Sequence, residues 1–122
     1  MNINIKVTNF NLTPEVRRYL EGELNRLSKK FLKALEEKGA ITAQAEIARL
    51  TRHHQKGDIY YTELNLSLPG KILRAEGRAA DILSAINEAD SDLKRQVQRY
   101  RDVRSTLFKK GARLFKKLIR GI

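Results

Sequence analysis

A chain of 122 residues with 41% apolar and 32% charged residues has the length and composition of a single globular domain rather than of a disordered segment. It holds no cysteine, which excludes disulfides and thiolate metal sites, and no stretch approaches the ~18 consecutive apolar residues of a membrane span. The net charge of +11 is unevenly placed: residues 1–93 carry 14 Lys/Arg against 13 Asp/Glu, whereas residues 94–122 carry 11 Lys/Arg against Asp102 alone.

The N-terminus MNINIKVTNF alternates polar and apolar residues and has none of the apolar run of a secretory signal, so a cytoplasmic location is expected. Ile3, Ile5 and Val7 share one face of a first strand over residues 2–7. Thr13 followed by Pro14 opens a helix, a hydroxyl cap and then a proline whose missing N–H costs nothing at the first helical position. Val16, Leu20, Leu24, Leu27, Phe31 and Leu35 form its apolar stripe, with Arg18, Arg26, Lys29, Lys30 and Lys33 broadly opposite and Gly39 as the C-terminal stop.

Residues 43–52 suit a second strand only weakly, because Ala43, Ala45 and Ala48 have low strand preference. His53 to Asp58 is a polar turn. Residues 60–68 form the clearest strand, with Leu64, Leu66 and Leu68 on one face and Glu63, Asn65 and Ser67 on the other. Pro69-Gly70 turns the chain into a short fourth strand, Ile72 to Glu76. A second long helix follows from about Ala80 to beyond Tyr100, with Ile82, Ile86, Ala89, Leu93, Val97, Tyr100 and Leu107 on its buried stripe. The expected fold is α+β, in the order β-α-β-β-β-α, with a four-stranded sheet covered on one face by two helices.

The chain ends on a seven-residue pattern written twice, LFKKGAR and LFKKLIR over residues 107–120. On a helical wheel its lysines and arginines fall on one side and its leucines, phenylalanines and isoleucines on the other. Residues 105–122 therefore read as a basic amphipathic tail behind a domain of residues 1–104. Its apolar side is expected to pack against protein, on its own domain or through self-association with a second copy.

No nucleophile elbow, phosphate-binding loop, dinucleotide fingerprint or zinc-protease motif occurs. The adjacent His53 and His54 would point to opposite faces of a strand, poor geometry for one metal. An enzyme is not expected, nor a metal, cofactor or small-molecule substrate. The one-sided basic block instead suits a phosphate-rich partner. Lys94 and Arg101 flank one edge of the second helix's apolar stripe, and Arg95 and Arg99 the other. The half before them, residues 81–92, carries four acids and no base. That acid-first order complements the helix dipole but exceeds what the dipole asks for. It also separates the chain from a double-stranded-RNA-binding domain, which the β-β-β-α half resembles but which puts its basic cluster at the start of the last helix.

Four stretches together resemble the ribosome hibernation-promoting factor family, which includes ribosome-associated inhibitor A and protein Y. They are Leu12-Thr13-Pro14; His53-His54-Gln55-Lys56-Gly57-Asp58 before Tyr60; Leu68-Pro69-Gly70 with Leu73-Arg74-Ala75-Glu76; and Asp81 through Ile86-Asn87 to Leu93-Lys94-Arg95-Gln96-Val97. The resemblance covers residues 1 to about 104 and implies a short form or an N-terminal domain of that family. It implies binding to ribosomal RNA of the small ribosomal subunit, in the channel where messenger and transfer RNA sit, with inhibition of translation. By position it implies RNA contacts from Arg26, Lys29, Lys30, Lys94, Arg95, Arg99 and Arg101, and more weakly from Arg52, His53 and Lys56. Arg104, Lys109, Lys110 and Arg113 extend the same basic surface into the tail. The competing expectation is a peripheral protein held on an anionic membrane by residues 105–122, for which the tail has the right moment. Gly111 in mid-helix and the lack of tryptophan or a lipidation motif argue against it.

Overall fold

The computed structural model describes residues 1–51 and 57–120. The elements run β1 (Asn2–Thr8), α1 (Pro14–Phe31), α2 (Lys33–Glu37), β2 (Thr42–Thr51), β3 (Asp58–Leu68), β4 (Lys71–Ala79) and α3 (Ile82–Arg120). Four strands form one sheet in the order β1-β2-β3-β4. β1 lies parallel to β2, the pairing that requires a crossover, and α1 supplies it; the other pairs are antiparallel.

The register aligns the apolar faces expected from the alternation. Ala43 pairs Leu66 and Leu66 pairs Leu73; Ala45 pairs Leu64 and Leu64 pairs Ala75. These side chains are buried beneath α1 and α3, where they meet Leu20, Leu24 and Leu27 of α1 and Ile86, Ala89, Leu93 and Val97 of α3. The two helices therefore share one face of the sheet, as the sequence implied. Each fully buried leucine there contributes about 2–3 kcal/mol of transfer free energy.

Local chemistry sets the boundaries. The Thr13 hydroxyl accepts the Val16 N–H and Pro14 occupies the first turn. The first helix is not continuous to Leu35: it breaks at Leu32, whose ψ of 30° lies off the helical path, and a short α2 follows. The break drops Leu32 into the core, and the Ser28 hydroxyl donates to Glu36 across it. Gly39, at φ 66°, terminates α2 instead of α1 and donates its N–H to Glu36 O at 3.0 Å. In the Pro69-Gly70 hairpin, Gly70 takes the positive φ of 77° that the turn requires.

β4 outruns its expected end at Glu76 by three residues, and Gly77 explains how. A Cβ there would sit 2.2 Å from Ala85 O and 2.7 Å from Ala89 N, so only glycine lets α3 lie this close to the strand. α3 begins two residues later than Ala80. Asp81 caps it, accepting the Ser84 N–H at 2.9 Å and the Ser84 hydroxyl at 2.8 Å. From there α3 runs unbroken through residues 104 and 105 to Arg120.

Leu107 corrects the expected stripe. It is 62% exposed, and Phe108, Leu114, Phe115, Leu118 and Ile119 are more than half exposed as well. The sheet ends near Tyr100, whose hydroxyl donates to Pro69 O at 3.0 Å, and the helix continues past it. Among the described residues the apolar side of the tail packs on nothing of its own domain, contrary to that branch of the expectation.

Candidate nucleic-acid interface

α1 and α3 lie side by side over the sheet, and the seam between them collects cations from both. Arg26 and Lys30 from α1 and Lys94 from α3 line one cleft of about 170 Å³, together with Glu23, Phe31 and Asp90. Phe31 anchors the seam: the Lys30 ammonium lies 5.3 Å from its ring centre and the Arg101 guanidinium 5.0 Å, one from each helix. Arg104 follows one turn later, donating to the Tyr100 hydroxyl at 2.6 Å and lying 5.5 Å from that ring. These contacts hold the charged ends of the cations against half-buried rings, with the side chains still exposed to solvent.

Arg95 and Arg99 occupy the other flank of α3. They border a groove of about 630 Å³ between the helix and the β3–β4 hairpin, with Lys71 from the start of β4. Gln96 fastens this flank by donating to Arg74 O at 2.7 Å. Lys110 extends the line of Arg95 and Arg99 along the helix. The structure thus brings Arg26, Lys30, Lys94, Arg101 and Arg104 together on the α1 side and Arg95, Arg99 and Lys110 on the β4 side. Lys29 is exposed in the last turn of α1, outside both clefts, and Lys109 and Arg113 are exposed on the projecting tail. Arg52, His53 and Lys56 lie outside the described residues.

Few of these cations are neutralised. Among the described residues Arg26 pairs with Glu23 at 2.6 Å, Arg95 with Asp92 at 3.4 Å and Arg101 with Asp102 at 3.6 Å. All three are neighbours on their own helix with well-exposed arginines, so they are weak pairs that an incoming phosphate can replace. Lys29, Lys30, Lys94 and Arg99 have no ion-pair partner among the described residues.

Asp90 is the anomaly in the seam. Burial, with the Glu23 carboxylate beside it, pushes its carboxyl up to about 6 against the opposing pull of Lys94 and Arg26. One of its oxygens is buried without a hydrogen-bond partner among the described residues. The seam is thus an electropositive rim around a carboxyl that resists ionising.

The opposite face of the sheet has another character. Glu46, Glu63 and Glu76 stand in one cross-strand row. Glu63 accepts from Tyr61 and Asn65, both at 2.9 Å, and Arg74 bridges Glu63 and Glu76 at 3.2 and 2.9 Å. The bonds from Asn65 and Tyr61 hold the Glu63 carboxyl below the usual range, while burial and then Glu63 push the Tyr61 hydroxyl up to about 12. Here Glu63 and Glu76 are matched by Arg74 on their own sheet, and the clustered cations lie on the helical side. Phe31 and Tyr100, which sequence reasoning assigned to the core stripe, are half-buried supports of the basic face, and Lys71 was missed. Aromatic residues at the end of an apolar stripe, next to cations one turn away, are the signal that could have found the first two.

The fold and this face define a small α+β domain with a cationic two-helix side and an internally paired sheet side. Residues 3–105 match the family described as Sigma 54 modulation protein / S30EA ribosomal protein, and the chain belongs to that family. A ribosome hibernation promotion factor of Deinococcus radiodurans is 29% identical over 93 residues, which cover 76% of this chain and 45% of that protein. The chain therefore spans less than half the length of that relative. The crystal structure of the N-terminal domain of Thermus thermophilus Protein Y matches with a TM-score of 0.66 and 28% identity, over 82% of this chain and 99% of that one. A ribosomal subunit interface protein from Coxiella burnetii shares the fold, with a TM-score of 0.66 at 16% identity over 84% and 99% of the two chains.

Proposed function

We propose that this protein is a cytoplasmic, non-enzymatic ribosome hibernation factor that binds ribosomal RNA of the small subunit through the helical side of the domain. The observation that carries the reading is the α1–α3 seam, where Arg26 and Lys30 from one helix meet Lys94 and Arg101 from the other around Phe31. Two helices of fixed separation present cations in two rows, an arrangement that tracks folded RNA by its phosphates rather than by base sequence. Family membership and the hibernation factor among its relatives support the same partner. Occupying the channel of messenger and transfer RNA, the domain keeps an idle subunit from initiating.

Co-sedimentation with separated subunits tests this. The protein pellets with small subunits and not with large ones, and messenger RNA with initiator transfer RNA displaces it. Equal binding to both subunits, or binding that those ligands leave unchanged, contradicts the reading.

A further inference from the structure

The tail's apolar face packs on nothing among the described residues of one chain. Leu107, Phe108, Leu114, Phe115, Leu118 and Ile119 are 54–79% exposed. At roughly 100 Å² of apolar surface for each, the patch approaches 600 Å², at the upper limit of what monomers leave open. The face is also the direct continuation of the stripe by which α3 packs on the sheet. At 100° per residue Leu107, Leu114 and Leu118 fall on the same side of the helix as Ile86, Leu93 and Val97. The packing surface simply outruns the sheet.

We propose that a second copy of this chain fills that space, the two α3 tails pairing antiparallel about a two-fold axis at Gly111. Three observations lead there. First, Gly111 lies at the centre of the apolar face, costs the helix about 1 kcal/mol, and has nothing within 4 Å of a would-be Cβ. Nothing in the monomer calls for a glycine, whereas two helices crossing at close range do.

Second, an antiparallel register centred on Gly111 is self-complementary, as a two-fold interface must be. It sets Leu107 against Phe115, Phe108 against Leu114 and Val103 against Ile119 of the other copy. Leu118 falls opposite Arg104, whose guanidinium is drawn aside onto the Tyr100 ring, and Lys116 and Lys117 fall opposite Thr106 and Ser105; Lys109, Lys110, Arg113, Lys116 and Lys117 lie away from the contact. Burying Val103 as well brings the apolar area covered to about 1,400 Å² for the pair, within the ~1,200–2,000 Å² of stable interfaces.

Third, the sheet limits what else can dock. It lies on the same side of α3 as the apolar face, so a flat bilayer laid along the tail would run into the domain. A single helix fits, because helix–helix and helix–sheet layers are both about 10 Å deep. The partner's tail then lies in the plane of the sheet, ending near the Pro69-Gly70 turn. The dimer contact is built on the apolar face and shares only Arg104 with the proposed RNA-binding surface.

The distinguishing property is the response to salt. The two outward basic faces repel, so screening tightens the dimer, whereas RNA or anionic lipid binding weakens with salt. Sedimentation equilibrium of the full 122-residue chain between 1 and 100 µM should show 14.0 kDa protomers associating to twice that mass. Association should be several-fold tighter in 0.5 M than in 0.05 M NaCl. Gly111→Leu should weaken it at least tenfold, although it raises helix propensity and apolarity, and Phe115→Glu should abolish it. Both positions project from the domain, so unchanged thermal unfolding of the variants confirms that the fold is intact. A 14.0 kDa species at 100 µM in 0.5 M NaCl overturns the proposal, as does a dimer indifferent to Phe115→Glu. Flotation of monomeric Gly111→Leu with phosphatidylglycerol vesicles, together with a monomeric parent, overturns it in favour of a lipid surface.

Discussion

Replacing Gly77 by alanine adds one methyl group at the closest approach of α3 to the sheet. The new Cβ would lie 2.2 Å from Ala85 O and 2.7 Å from Ala89 N, both backbone atoms that no rotamer change can move. Relieving the first contact to 3.0 Å, the least that real Cβ atoms tolerate, moves the helix about 0.8 Å away from β4. A gap of 0.5–1 Å forfeits roughly a quarter to a half of the dispersion energy across it. Ile86, Leu93 and Val97 hold α3 to the sheet at full burial, each contributing about 2 kcal/mol, so the loss comes to about 1.5–3 kcal/mol. Overpacking costs of ~1–3 kcal/mol agree with that figure. For a domain of this size the melting temperature should fall by about 10 °C. Calorimetry or thermal circular dichroism reads it directly. Away from close contacts, alanine is neutral or better than glycine in a strand. An unchanged or higher melting temperature would therefore refute the claim that Gly77 sets the helix–sheet distance.

Three further outcomes are expected. Thr62 is fully buried and its hydroxyl has no partner among the described residues, so Thr62→Val should stabilise the domain by about 1 kcal/mol in urea unfolding; a loss of stability contradicts this. Asp90 titrates near 6 when folded against an ordinary 3.8, so the unfolded chain gives up this proton first and folding stability declines as pH rises through that window, levelling off above it. Allowing for the screening of a half-exposed group, Asp90→Asn should remove about 1 kcal/mol of that decline, and the difference between variant and parent should vanish below pH 4. Phe31→Ala should lower RNA affinity more than removal of a single cation, because its ring supports Lys30 and Arg101 together; equal affinity of variant and parent would contradict that role.

How legible each feature was follows from where its cause lies. Strand alternation and the helical stripes are local signals, and they placed the strands, both long helices and the buried face. The weak signal of β2 has a tertiary answer: Ala43, Ala45 and Ile47 sit in the interior of the sheet beneath two helices, where small side chains fit and propensity counts for little. The break at Leu32 was illegible because Ser28, Leu32 and Glu36 satisfy a helical period; only their cross-break contacts distinguish it. The extra length of β4 turned on Gly77, whose close contact with Ala85 is visible only once α3 is in place. The basic face was read from charge spacing, since helix geometry converts sequence offsets into faces. Its aromatic supports were not, because Phe31 and Tyr100 fit an apolar stripe equally well. Leu107 was misassigned for the same reason: the period continues past the point where the sheet stops.

Ribosome binding by this domain depends, on the proposed function, on the seam cations meeting phosphate. The direct measurement is small-subunit affinity over a salt series for the parent and for Arg26→Gln, Lys30→Gln and Lys94→Gln combined. The parent should show log K falling against log salt with a slope of about −5 to −9, for six to ten phosphates neutralised. The triple variant should bind more weakly at every salt concentration, with a slope shallower by about 2–3. A triple variant with the parent's affinity and slope would contradict the central claim.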